Sequence, residues 1–155
     1  MSIFDSLNTS ASSLTAQRLR MDIASSNISN AQTTRATMDE NGEYLPYRRK
    51  IVSLQPNENK FKTYLQKAKF GINFMENNRT SGVKVSQVSE DETPFKMVYD
   101  PDHPDADEMG MVRYPNVDPL KENVDMMSAT RSYEANVTAL NASKDMLLKA
   151  LEIGQ

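Results

Sequence analysis

The sequence predicts an α+β protein in which long N- and C-terminal helices pair like a coiled coil around a small β-rich insert. Three observations predict it. All seven Pro lie between Pro46 and Pro119, and residues 1–41 and 120–153 contain neither Gly nor Pro. Nine of the eleven aromatic residues fall between Tyr44 and Tyr114, so the middle has the composition of strands and turns. Apolar residues recur every seven positions at both ends and every second position in the middle. The expected divisions are 1–35 (helix and terminal turn), 36–116 (insert with extended loops) and 117–155 (helix).

The N-terminal helix opens at Ser2, a capping residue, with Asp5 at the third helical position. Leu7, Leu14, Met21 and Ile28 form a seven-residue series, with Phe4 and Ala11 on the alternate seam before it degrades at Arg18 and Ser25. Ala16, Leu19 and Ile23 form a weaker second face. The segment is rich in Ser, Thr and Asn, which compete for backbone hydrogen bonds and lower helix propensity. Such a helix is marginal alone and needs a partner.

In the insert, Phe70–Phe74, Val83–Val85 and Phe95–Tyr99 alternate apolar and polar residues as half-buried strands do. Asn77–Gly82 reads as a turn or mobile loop, and a small antiparallel sheet with a modest core is expected. The C-terminal helix is the stronger one. Asp118 is a suitable N-cap and Pro119 suits the first helical position. Met126, Tyr133, Leu140 and Leu147 make one series, and Thr130, Val137, Lys144 and Leu151 its companion. Ala142, Met146, Ala150 and Ile153 add a stripe on another face, and Gly154 is a natural terminator. At ~1.5 Å per residue the two helices would span about 40 and roughly 50 Å. An antiparallel pair covers one stripe of each, and the surplus calls for further neighbours.

Composition narrows the function. The 155 residues carry a net charge of −3, which gives no general attraction for nucleic acid. Mean hydropathy is −0.63 and there is no Trp, thin material for a self-sufficient core. Without Cys there are no disulfides, thiolate metal sites or Cys nucleophiles, and a single His argues against catalytic triads and multi-His zinc sites. These features argue against an enzyme; no catalytic residue, cofactor, metal or small-molecule substrate is expected. No apolar run approaches the ~20 residues of a membrane span, and no secretory signal pattern is seen.

The densest acidic run, Asp100 to Glu108, contains His103. As a Ca²⁺ loop of EF-hand type it would need Gly and Glu where Asp105 and Met111 stand, so a rigid, solvated loop is the favoured reading. His103 has no nucleophile partner at a recognisable spacing. Arg48, Arg49 and Lys50 lack a wider basic stripe and point to a protein contact rather than nucleic acid. The apolar stripes fit two readings equally: a self-contained helical hairpin in a soluble monomeric binding module, or surfaces for assembly. Ten Met residues suit adaptable packing in either.

Four ordered segments carry a resemblance. They are Ser25–Arg35, with an Asn-x-x-Asn-x-x-Thr pattern at Asn27, Asn30 and Thr33; Pro46–Lys50; Val98–Asp107, continuing to Pro115-Asn116-Val117; and Met127–Gly154, above all Arg131–Val137 and Lys149–Gly154. Together they resemble the axial rod and hook family of the bacterial flagellum, in its proximal-rod, C-type branch. Arg35, where many other axial proteins carry Gly, supports that branch. The resemblance covers roughly residues 1–52 and 94–155. It implies a structural subunit of the basal-body rod in the cell envelope, exported without a cleaved signal peptide by the flagellar type III apparatus. It implies polymerisation with copies of itself and with other rod proteins, the terminal helices forming an inner tube. The assembly interface is then expected at Leu7, Leu14, Met21, Asn27, Ile28, Asn30, Met126, Tyr133, Val137, Leu140, Leu147 and Leu151. For Asn27 and Asn30 two roles stay open: tying helix ends across subunits, or ending the helix locally.

Overall fold

The computed structural model describes residues 3–40, 42–57 and 82–153. Helix α1 spans Ile3–Ser29 and helix α2 Pro119–Ile153, with an insert of antiparallel strands between them. The strands are β1 (Thr37–Met38), β2 (Tyr44–Leu45), β3 (Lys50–Pro56), β4 (Val83–Glu90), β5 (Lys96–Tyr99) and β6 (Met111–Tyr114). They form three separate two-stranded ribbons, β1–β2, β3–β4 and β5–β6, where one small sheet was expected. β1, β2, β5 and β6 are two to four residues each and offer few backbone groups to a third strand, and among the described residues none joins the longer β3–β4 ribbon. The strand expected at Phe70–Phe74 and most of the turn at Asn77–Gly82 lie outside the described residues, as does the Ser2 cap.

The α1 sequence forms a helix despite its Ser and Thr content because the hydroxyls find partners on the helix itself. Thr9 donates to the Asp5 carbonyl at 2.8 Å, and Thr15 to that of Ala11 at 3.1 Å. In α2, Thr130, Thr138 and Ser143 do the same four residues back. The α2 N-terminus is capped as expected: the Leu120 N–H donates to Asp118 Oδ1 at 3.1 Å, behind Pro119 at the first helical position.

The chain divides into two compact units. The first draws on residues 1–17, 54–86 and 131–155. Its buried described residues are small: Ser10, Ala16, Gly82 and Ser143. The Ser6 and Ser143 hydroxyls meet at 3.3 Å, bringing α1 beside α2, and the Val83 N–H donates to Ser12 Oγ at 3.1 Å, seating the ribbon base on α1. Gly82 is required there: its φ is +86°, and an added Cβ would lie 2.1 Å from Ser12 Oγ.

The second unit comprises residues 18–53 and 87–130 and holds the larger core side chains, Tyr47, Val112, Pro115 and Val117, with Ala24 and Ala129 between the helices. Thr130 Oγ1 approaches Met21 Sδ at 3.3 Å, and Asn27 meets Glu122, so α1 and α2 run antiparallel here. The hairpin β5–β6 pairs Lys96 with Tyr114 and Tyr99 with Met111. Gly110 turns it with φ +73°, beneath the Tyr99 ring.

Candidate assembly faces and a buried polar node

A fully satisfied asparagine lies in the second unit. Asn27, 1% exposed, occupies the last turn of α1. Its Oδ1 accepts from the Tyr47 hydroxyl and the Lys50 N–H, both at 3.0 Å. Its Nδ2 donates to the Lys50 carbonyl and to Glu122 Oε2, both at 2.9 Å. Both amide lone pairs and both amide hydrogens are therefore used, joining α1, the approach to β3, and α2. Arg49 completes the node. Its Nε donates to Glu122 Oε1 at 2.6 Å, its Nη1 to Asp91 Oδ2 at 3.4 Å, and its Nη2 lies 3.7 Å from Asp125. Burial lowers the Arg49 pKa, but the Glu122 and Asp91 carboxylates outweigh it and hold the guanidinium above its ordinary value. Asp91 is held below the usual carboxylate range, first by the Thr93 N–H and hydroxyl, with Arg49 adding to the effect.

Beyond the end of α1, a second tie fastens the acidic loop. Thr34 Oγ1 donates to Asp105 Oδ2 at 2.8 Å, and Arg35 donates to Oδ1 from Nε at 2.7 Å and from Nη2. The Arg35 and Thr34 hydrogen bonds hold the Asp105 carboxyl below its ordinary range. His103 Nδ1 accepts from the Asp105 N–H at 3.1 Å, and its ring meets Tyr114 edge-on. The loop's central carboxylate is thus committed within the chain. Among the described residues no group of three or more His, Asp or Glu side chains is arranged to hold a metal.

The expected assembly residues divide by environment. Asn27 and Asn30 both make hydrogen bonds within the chain. Asn30 Nδ2 donates to the Ser26 carbonyl at 2.9 Å and its Oδ1 accepts from Thr33 Oγ1 at 3.3 Å, ending the helix locally. Leu7, Leu14, Met21 and Ile28 on α1, and Met126, Tyr133, Val137, Leu140 and Leu147 on α2, are half-buried, while Leu151 is 69% exposed. Beside the Met126–Leu147 series, the buried positions of α2 are Glu122, Ala129 and Ser143. In the series read as the companion, Lys144 and Leu151 are exposed instead. Small side chains hold the seam because they let backbones approach, whereas apolar size guided the sequence reading. The buried Glu122 and its half-buried partner Arg49 escaped because charge normally signals solvent. The one legible trace was a carboxylate in the first turn of α2, where the helix dipole favours it.

The outward faces of α2 remain apolar at both ends. Leu120, Val124 and Met127 are 75%, 58% and 64% exposed, and Met146 and Ile153 are 64% and 86% exposed. No helix among the described residues is long and apolar enough to cross a membrane.

Two family models match the chain. One, described as flagella basal body rod protein, matches residues 7–37; the other, flagellar basal body rod FlgEFG protein C-terminal, matches residues 108–153. The chain is 57% identical over 155 residues to the flagellar basal-body rod protein FlgC of Bacillus subtilis, covering the whole of both chains. It is 42% identical to the FlgC of Borreliella burgdorferi over 159 aligned positions, all of this chain and 99% of that one. Against the FlgC of Escherichia coli O157:H7 it is 39% identical over the full length of both.

Proposed function

The chain belongs to the flagellar basal-body rod protein family, and from that premise we propose that it is a structural subunit of the proximal rod, polymerised through its terminal helices and performing no catalysis. The observation that carries this is the exposure of large apolar side chains along α2, from Leu120 to Ile153, beyond what pairing with α1 covers. A self-contained hairpin would leave those side chains in water. Residues 1–35 and 117–155 form the inner helical part and 36–116 the outer insert. Copies of the chain, other rod proteins and the type III export apparatus are its partners, and the cell envelope is its place of work.

The node suits a torque-bearing subunit. Asn27, Arg49 and Glu122 fix the end of α1 to the start of α2 through directional bonds that resist sliding in a way apolar contacts do not. A genomic deletion complemented by tagged chain tests the reading. The tagged chain is expected in detergent-resistant basal bodies, and swimming is expected to depend on it. Swimming cells whose basal bodies lack the chain would overturn the proposal.

A further inference from the structure

Histidine is the side chain type that ordinarily changes charge between about pH 5 and 8, and this chain has a single one, His103. It stands in the acidic loop, outside the Asn27 node. A backbone N–H can only donate, so the Asp105 N–H at 3.1 Å requires an unprotonated Nδ1 and puts the neutral ring's proton on Nε2. The same Nδ1 lies 3.9 Å from Oδ2 of that residue's carboxylate. One ring nitrogen thus stands between a backbone donor and a carboxylate acceptor, and each protonation state can serve only one of them. We propose that His103 is a proton-operated latch: neutral, it accepts the Asp105 N–H and closes the turn of the loop; protonated, it releases that N–H and donates to Asp105 Oδ2.

The carboxylate has room for the new donor. Ionised, it offers about four acceptor sites. Oδ1 takes Arg35 Nε and Nη2, and among the described residues Oδ2 takes Thr34 Oγ1 alone, which leaves one site on the oxygen nearest the ring. A charge-assisted bond of ordinary length needs the ring to close by about 1 Å. Titratable and charged groups meet the ring from three elements. The loop itself supplies the Asp105 carboxylate, the turn after α1 supplies the Arg35 guanidinium behind that carboxylate, and β6 supplies the Tyr114 ring, edge-on with centroids 6.0 Å apart. Asp105 stays ionised while the ring changes charge, because Arg35 and Thr34 hold its carboxyl below the ordinary range. The His103 and Asp105 side chains are 23% and 21% exposed, open enough for protons to arrive and shielded enough for one bond to matter. Backbone bonds from the His103 N–H to the Asp100 carbonyl at 3.3 Å, and from the Ala106 N–H to the His103 carbonyl at 3.1 Å, keep the ring near both partners. The loop then has two hydrogen-bonded shapes, one on each side of the ring's titration, both tied to the end of α1 through Thr34 and Arg35. The device lies within one chain and does not depend on the polymer reading.

Solution NMR of the isotope-labelled full chain tests the latch. At about pH 8 the ring is expected as the Nε2–H tautomer, with the Asp105 amide protected from exchange. Lowering the pH to about 5.5 is expected to cut that protection about fivefold, relative to the intrinsic exchange rate, and to move the Asp105 amide resonance along the ring's own titration curve. The Arg35 Nε–H is expected to stay slowly exchanging throughout. His103→Asn offers a side-chain oxygen near the place of Nδ1 but carries no titrating group, so its Asp105 amide should stay protected at both pH values. An Asp105 amide indifferent to the ring's titration, or a ring with its proton on Nδ1 at the higher pH, would overturn the latch. Equal loss of protection in His103→Asn would do the same, because the change would then come from another group. Loss of the Arg35 Nε–H signal on acidification would show the loop leaving α1 instead of exchanging partners, and would also overturn it.

Discussion

Asn27 shows how much one side chain decides. Replacing it with Ala leaves the Lys50 carbonyl, the Tyr47 hydroxyl and the Glu122 carboxylate each short of a partner in a buried site. A loss of about 2–4 kcal/mol is expected, read as a lowered midpoint in thermal unfolding of the purified chain. Asn27→Asp should be worse at neutral pH, since a carboxylate would then face Glu122, and it should recover partly on acidification. Asp105 and Asp91 set a separate pH dependence. Their folded pKa values lie below the ordinary range, so their stabilisation is fully present above the unfolded value of about 4 and is lost as pH falls through the folded values. Unfolding midpoints should therefore decline on acidification below roughly pH 4–5. Asp105→Asn should flatten that decline; an unchanged slope would mean that the tie to Thr34 and Arg35 is not stabilising.

At the scale of elements, the ribbon β3–β4 depends on one glycine where it meets α1. Gly82→Ala combines a left-handed backbone with a Cβ on top of Ser12 Oγ, and a destabilisation of about 1–3 kcal/mol is expected in denaturant titration. Adding Ser12→Gly should relieve the clash but not the backbone strain, so rescue should be partial. Helix α2 was legible nearly to the residue because its start is written locally, in Asp118 and Pro119. Its partner face was harder to read. The positions closest to α1 include Ala129 and Ser143, whose value is their small size, and size becomes meaningful only once two backbones approach.

For the whole molecule, the half-buried series through Leu140 is expected to matter for assembly. Leu140→Asp should abolish swimming while the neighbouring, exposed Asn141→Asp should not; equal swimming by both would remove the series from the interface. In dilute solution the node should make stability uneven. Amides near Asn27 and Glu122 are expected to exchange more slowly than those of residues 131–153, where the described buried side chains are small. Uniform protection along α2 would show that the chain is fully ordered before it assembles.

By itself the sequence determined the two helices, the Asp118 cap of α2, the strand-bearing middle and the absence of Cys chemistry, because each depends on composition or on neighbours a few residues apart. It also carried the resemblance to axial rod proteins, through motifs read in order. Only the tertiary structure decided that Asn27 is satisfied by Tyr47, Lys50 and Glu122, that Arg49 is spent on Glu122 and Asp91, and that the described strands form separate ribbons. The reason is physical. A buried polar group is tolerated only where partners from distant segments converge on it, and convergence is a property of the folded chain rather than of spacing along it.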